Sequence, residues 1–324
     1  MHRREFVTLV GGTIAWPSIV RAQQTEPMGP IVGFLGAGSG DRRPYLMPAI
    51  RSGLSDTGSA HASVEYRFAE GHYDRLRGLA EELLRKNVSV IISDGATATM
   101  AAKAATEKVP IVFITGADPI RLGLVGSFNR PDSNITGLVI FANELIGKRL
   151  EILKELLPKE AKVALLVNPK GPNVAPLIKE AQRAAKAMDQ EMHVIEASVE
   201  HELNAAFASF RQRRINAALV AADPFFDDRH EQLVALSARY AIPAIYQWRQ
   251  FPEAGGFISY GPSLADLYRQ SAVYAGRILK GTKPGDLPVE QPTKVELVIN
   301  LKTARALGIN IPSSLLVRAD TVIE

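Results

Sequence analysis

From Pro30 onward the chain alternates short apolar runs with longer stretches whose apolar residues recur every three or four positions. This pattern predicts strands and helices in alternation, and hence parallel sheets flanked by helices. The first series predicts strands over 31–35, 63–68, 88–93 and 111–115; the second of these alternates in polarity, as an edge strand does. Between them fall a helix beginning at 48–55, a helix over 73–86 with Leu76, Leu79, Leu83 and Leu84 on one face, and an alanine-rich helix over 97–106. The pattern then restarts, with helices over 144–157, 175–188, 202–213 and 229–240 and strands over 162–167, 193–196, 217–220 and 244–246. The strands over 111–115 and 217–220, one in each half, end alike, in Gly116-Ala117-Asp118-Pro119 and Ala221-Ala222-Asp223-Pro224. A tail adds a strand over 256–260, a helix over 264–280, a Pro/Gly-rich stretch over 281–292, a strand over 295–299 and a short helix over 301–307. A tail that arrives after both halves are complete suits a chain crossing back between two lobes. The expected architecture is α/β, with residues 29–140 plus 261–283 as the N-terminal lobe and 141–260 plus 284–324 as the C-terminal lobe. Three crossings, near 139–143, 259–262 and 282–286, would join them.

The segment before this pattern reads as an export signal. Arg3-Arg4-Glu5-Phe6-Val7 opens it, an apolar stretch broken by Pro17 runs to Val20, and Val20-Arg21-Ala22-Gln23-Gln24 offers a small-residue cleavage site after Ala22. Paired arginines followed by Phe-Val are similar to the twin-arginine signal, which exports folded proteins; the alternatives are an ordinary Sec signal or a short anchor. The apolar stretch is shorter than the roughly 20 residues a spanning helix needs. Residues 1–22 are therefore expected to be removed, leaving a periplasmic product with no membrane insertion.

Composition narrows the chemistry. The chain has no cysteine, which excludes disulfides, thiol catalysis, Cys-ligated metals and a lipidated Cys after the signal. The net charge of +4 comes partly from the signal arginines, and no later basic block suggests a nucleic-acid partner. The six histidines form no H-x-H or H-x-x-x-H pair and read as surface or cap residues. No P-loop and no G-x-S-x-G elbow occurs, and Asp41 stands where the third glycine of G-x-G-x-x-G belongs after Gly36-Ala37-Gly38. No cofactor, metal or catalytic constellation is expected.

Parallel sheets bind ligands beyond the carboxyl ends of their strands, where helix N-termini present free N–H groups. The residues there are Gly38 and Ser39, Gly95, Ala96 and Thr97, Gly116 and Asp118, Asn168, Asp223 and Phe225, Tyr246 and Trp248, and Tyr260. This is a set for binding: backbone donors, two carboxylates and stacking surfaces. Asp118 and Asp223 read either as Asp-Pro helix caps or as acceptors for a ligand amine, and their matched positions favour binding by at least one. Phe225, Phe226, Trp248 and Tyr260 divide between core and cleft, and one of the adjacent phenylalanines is expected to face the cleft. With Arg42 and Arg43 the only nearby cations, an amino acid-like or aromatic carboxylate fits better than a phosphate or metal chelate; sugars are the next ligand class.

Several segments together resemble the bacterial ABC-transporter substrate-binding proteins of the tryptophan-type group. They include Tyr66-Arg67-Phe68-Ala69-Glu70-Gly71, Asn134-Ile135-Thr136-Gly137, Leu165-Leu166-Val167-Asn168-Pro169, Ala222-Asp223-Pro224-Phe225-Phe226 and Ala241-Ile242-Pro243-Ala244-Ile245-Tyr246, and the likeness runs over essentially the whole chain. The resemblance implies a type I periplasmic binding protein fold and a monomer that closes on a small-molecule ligand and hands it to a membrane ABC permease. One departure is Ser55-Asp56-Thr57-Gly58-Ser59-Ala60-His61, where the group has a Gly-Tyr-x-x-Gly-x-Asn turn distant from the cleft. The other readings are a sensory binding protein that docks on a receptor and an exported NAD(P)-dependent oxidoreductase.

Overall fold

The structure is a computed structural model that describes residues 29–324 except 42, 43, 132, 141, 159 and 293. The export signal, Arg42 and Arg43 lie outside the described residues.

The N-terminal series gives β1 (Ile31–Gly36), α1 (Leu46–Asp56), β2 (Ser63–Phe68), a 3-10 turn at Tyr73–Arg75 leading into α2 (Leu76–Arg85), β3 (Val90–Asp94), α3 (Ala96–Ala105), β4 (Ile111–Thr115) and β5 (Ile135–Val139). The five strands form one parallel sheet in the order β2-β1-β3-β4-β5, with β2 on the edge that its alternating polarity predicts. The pattern did not predict β5. It contains Thr136 and Gly137, and at Gly137 an added Cβ would stand 2.2 Å from the Phe113 carbonyl oxygen, so close strand packing has put a glycine inside the strand and broken its apolar run.

The second series gives α4 (Ala142–Leu156), β6 (Val163–Val167), α5 (Val174–Ala187), β7 (Met192–Glu196), α6 (Glu200–Arg213), β8 (Ala217–Val220), α7 (Pro224–Asp227), α8 (His230–Arg239), β9 (Ala244–Tyr246), α9 (Gln250–Glu253) and β10 (Ile258–Gly261). The tail supplies α10 (Leu264–Leu279), β11 (Glu296–Asn300), α11 (Leu301–Ala306), α12 (Ser313–Arg318) and β12 (Thr321–Ile323). The second sheet runs β7-β6-β8-β9-β10-β11-β12; β11 pairs antiparallel to β10, and the other ladders are parallel.

Three apolar clusters hold these layers. One lies under α2 and α3 (Leu79, Leu83, Ile91, Phe113) and one under α4 and α5 with the tail strands (Leu153, Leu165, Leu177, Ile299). The third is continuous from the α1 and α10 face of the first sheet to the α6 and α8 face of the second, through Phe34, Tyr268, Phe226 and Phe207. Helix α10 returns to lie along α1, close enough that a Cβ on Gly53 would meet the Arg269 carbonyl oxygen at 2.0 Å. The final crossing falls later than the 282–286 expected. Residues 289–290 still follow β5, with Glu290 N–H donating to the Gly137 carbonyl and Val139 N–H to the Glu290 carbonyl. An apolar Leu287 and Val289 anchor that stretch in the core, which a Pro/Gly composition conceals.

Candidate functional site

The carboxyl ends of both sheets face one cavity of about 110 Å³. From the first sheet, β3 ends in Asp94, and the chain turns through Gly95 (φ 93°, ψ 154°), a conformation essentially reserved for glycine, directly into α3. That turn places Gly95, Ala96 and Thr97 on the wall, with the first N–H groups of α3 lacking intrahelical partners. Thr115, Gly116 and Ile140 follow from β4 and β5. From the second sheet come Val167 and Asn168 after β6, Asp223 and Pro224 after β8, and Gln247 and Trp248 after β9. Ile114, Leu177 and Leu264 complete an apolar wall.

Asp223 joins the two lobes. Its Oδ1 accepts from the Phe225 N–H (2.9 Å), from Asn168 Nδ2 (2.9 Å) and, across the cleft, from the Tyr73 hydroxyl (3.0 Å). Its Oδ2 takes no part in these bonds and lies at the wall beside Gly171, where an added Cβ would stand 3.2 Å away. Burial raises the Asp223 carboxyl above the usual carboxylate range against the opposing pull of its three donors. Burial, reinforced by the Asp223 charge, also raises the Tyr73 phenol, so Tyr73 stays a donor. Three further bonds cross the cleft: Asn168 Nδ2 to the Tyr73 hydroxyl at 3.5 Å, Ser39 N–H to Asp228 Oδ2 at 2.6 Å and Asn173 Nδ2 to the Gly116 carbonyl at 3.2 Å. On the first lobe's side, the Tyr268 hydroxyl donates to Asp94 Oδ2 at 3.0 Å.

Of the residues expected at the site, the structure brings together Gly95, Ala96, Thr97, Gly116, Asn168, Asp223 and Trp248. The others are elsewhere. The backbone of the Gly38-Ser39 loop is engaged in structure: the Gly38 carbonyl accepts from Glu70 N–H and Ser39 N–H is spent on Asp228, so the loop is a lobe contact rather than part of the ligand-binding wall. Asp118 takes the capping role, accepting from the N–H groups of Ile120 and Arg121. Phe225 packs in the core beneath the Arg229 guanidinium, 4.1 Å from its ring centre, and neither adjacent phenylalanine lines the cavity. Tyr246 is fully buried, stacked on Phe251 at 4.3 Å and hydrogen-bonded to Ser237. Tyr260 packs against the α4–α5 core, and its carbonyl accepts from Arg149 Nε at 2.7 Å. Phe225, Tyr246 and Tyr260 are drawn inward by neighbouring apolar side chains that a strand-end position does not reveal.

Tyr73 and Tyr268 also line the wall without any sequence signal having singled them out, and Asp94 and Gln247 join it from the strand-end loops although they were not among the residues expected to bind. Tyr73 opens the segment after β2, so the strand-end rule applied to that strand would have found it. Tyr268 lies inside α10, and only the packing of that helix brings it to the wall.

Two wall residues, Gln247 and Trp248, are 3% and 5% exposed, and each turns a polar atom with no hydrogen-bond partner, Oε1 and Nε1, into the protein. Among the described residues no group of three or more His, Asp or Glu is arranged to hold a metal ion, and no helix is long and apolar enough to cross a membrane.

Comparison with known proteins agrees with this architecture. The chain is 24% identical over 244 residues to a tyrosine-binding protein of Clostridioides difficile, covering 75% of this chain and 70% of that one. It superposes on a conserved domain protein of Vibrio cholerae with a TM-score of 0.82 at 23% identity, covering 90% of this chain and 99% of the other. The ABC domain of Streptococcus pneumoniae in complex with L-Trp gives a TM-score of 0.80 at 23% identity, covering 91% and 100%. The two mostly parallel sheets with flanking helices are those of type I periplasmic binding proteins. With residues 39–323 matching the family of ABC transporter substrate binding proteins, the chain belongs to that family.

Proposed function

We propose that this protein is the exported receptor of an ABC importer, that it captures an amino acid-like or aromatic carboxylate between its lobes, and that it delivers the solute to a membrane permease. Asp223 carries the reading. One of its oxygens is filled by donors from both lobes, while the other borders the cavity, placed to accept a ligand ammonium. The N-terminus of α3, ten residues long and reached through Gly95, suits the ligand carboxylate. A zwitterion held by both lobes favours the closed form by its differential contacts, which is the hinge mechanism of such receptors. The signal-like residues 1–22 support secretion to the periplasm, with the twin-arginine pair as the route, and the mature chain works as a monomer.

The test is a thermal-shift and calorimetric screen of amino acids, aromatic acids and sugars on protein beginning at Gln23. A ligand at 100 times its Kd stabilises the native state by about 2.7 kcal/mol, which corresponds to a melting shift of roughly 4 °C for a chain of this size. Stabilisation by amino acids is expected. Stabilisation by sugars alone would refute the ligand class, and a bound flavin or nicotinamide in the native protein would refute the receptor reading.

A further inference from the structure

We infer that the solute is an amino acid with a hydrocarbon side chain, and that the face of the cavity built by β6, β8 and α5 selects for it. This rests on the reading of the cavity as an amino acid site and names the side-chain chemistry that the site takes. Asp223 Oδ2 and the N-terminus of α3 provide for the two charged ends of such a solute. What remains for its side chain is apolar. Val167 ends β6, Ala221 follows β8, and Val174 and Leu177 stand in the first four residues of α5; all four line the cavity. They form one continuous surface, since Val167, Leu177 and Ala221 belong to a single packed cluster and Val174 packs against it. Across the cleft, Ile114 and Ile140 bring the same chemistry from the first lobe. The polar side chains beside this face are occupied. Asn168 gives its Nδ2 hydrogens to Asp223 and Tyr73 and accepts from Lys170 N–H, and Asn173 Nδ2 reaches the Gly116 carbonyl. Gly171 and Pro172, between the two asparagines, carry no side-chain donor or acceptor. Of the other wall carboxylates, Asp94 accepts from the Tyr268 hydroxyl, and Asp227 lies in the field of the buried Arg149 guanidinium. Among the described residues no Lys, Arg or His lines the cavity, so a side-chain carboxylate would meet no cation.

A hydroxyl, amide or ammonium pressed against that face gives up its water and gains no partner, whereas a hydrocarbon chain gains by leaving water. An apolar pocket discriminates against an isostere that adds a hydroxyl by up to about a hundredfold. The test uses matched pairs by calorimetry: L-valine against L-threonine, L-leucine against L-asparagine, L-phenylalanine against L-tyrosine, and L-norleucine against L-lysine. In the pair that the wild-type protein binds most tightly, the hydrocarbon member is expected to win by at least about tenfold. Val174→Thr and Leu177→Asn put a hydrogen-bonding group on the face with little change in volume, and each should shrink that preference by at least about threefold. Equal or tighter binding of the polar member in that pair would overturn the inference while leaving the amino acid site standing. A preference unchanged in both variants would overturn the assignment to this face. Binding of no amino acid at all would overturn the site and the inference together. Should Leu177→Asn fail to fold, Val174→Thr, at the half-buried first position of α5, decides the matter alone.

Discussion

Asp223→Asn separates charge from hydrogen bonding at the centre of the cleft. The amide oxygen of Asn replaces Oδ1 and still accepts from Phe225 N–H, Asn168 and Tyr73, so the α7 cap and the bridge between lobes survive. What disappears is the negative charge whose burial raises the wild-type pKa. For the free protein, a raised folded pKa means stability that is fully present below the unfolded pKa and lost as pH rises through the folded one. At neutral pH the wild-type carboxylate therefore carries a desolvation cost that Asn lacks, and the free variant should melt at or above the wild-type temperature. Ligand binding should move the opposite way. Removing one partner of a buried charge pair costs about 2–5 kcal/mol, or roughly a 30- to 4,000-fold rise in Kd at 1.4 kcal/mol per decade. Calorimetry at pH 7.5 measures the loss. In wild type, affinity should fall on acidification at a pH where an ordinary aspartate is still ionised, because protonation fills the acceptor; the variant should show no such fall. An Asp223→Asn protein that binds its amino acid within threefold of wild type would refute the ammonium assignment.

Three further outcomes follow from other contacts. Tyr73→Phe deletes one charge-assisted bond across the cleft, worth about 1.5–3 kcal/mol, so Kd should rise about tenfold or more and the scattering radius of the free protein should increase; unchanged values in both measurements would exclude Tyr73 as a closing contact. Gly95→Ala forces an L-residue into φ 93°, ψ 154° at a cost of about 1–3 kcal/mol, so melting temperature should drop by several degrees and affinity with it, and an unaffected protein would contradict the strain. Arg149 is 1% exposed, has an unpartnered Nη2 and is held by burial at a pKa lowered to about 9. Because the folded group loses its proton first, the wild type should gain stability relative to Arg149→Met as pH rises past about 9. A melting difference that stays constant between pH 8 and 10.5 would contradict the buried charge.

Much of the fold was legible because its signals are local. Apolar runs such as Val163–Val167 and Ile111–Thr115 are buried on both faces of their sheets, and amphipathic stretches such as α2 turn Leu76, Leu79 and Leu83 inward. The failures have physical causes. Gly137 interrupts β5 because Phe113 leaves no room for a side chain, and α7 and α9 are four residues long, too short to establish a period. At the site, backbone-placed residues were legible: Gly95, Ala96, Thr97, Asn168 and Asp223 follow from where strands end. Aromatics were not, since a strand-end position does not say whether a residue of the core also reaches the cavity wall, as Trp248 does, or stays clear of it, as Tyr246 and Phe225 do. The matched Asp-Pro turns also proved unequal. Asp118 stays with its own loop, whereas Asp223 meets Asn168 and Tyr73 from other elements.

On the proposed function, that inequality gives a route by which ligand capture would couple to closure. A ligand shifts an open–closed equilibrium only by its differential affinity for the two forms. An acceptor that served the ligand alone would bind equally well in either form and shift nothing. Asp223 escapes this because Tyr73 reaches its Oδ1 only when the lobes meet, while Oδ2 borders the cavity. An ammonium on Oδ2 keeps the carboxylate ionised, and the ionised group is the stronger acceptor for Tyr73. Closure in turn brings the Tyr73 donor, which favours the same charged form against the burial that opposes it. Each event therefore stabilises the state the other requires, and the coupling runs through one carboxyl group. It follows that Tyr73→Phe and Asp223→Asn should be non-additive: the double variant should bind more tightly than the sum of the two single losses implies, with a discrepancy of about 0.5–3 kcal/mol. Strict additivity in that cycle would mean that the bridge between lobes and the ligand contact are independent.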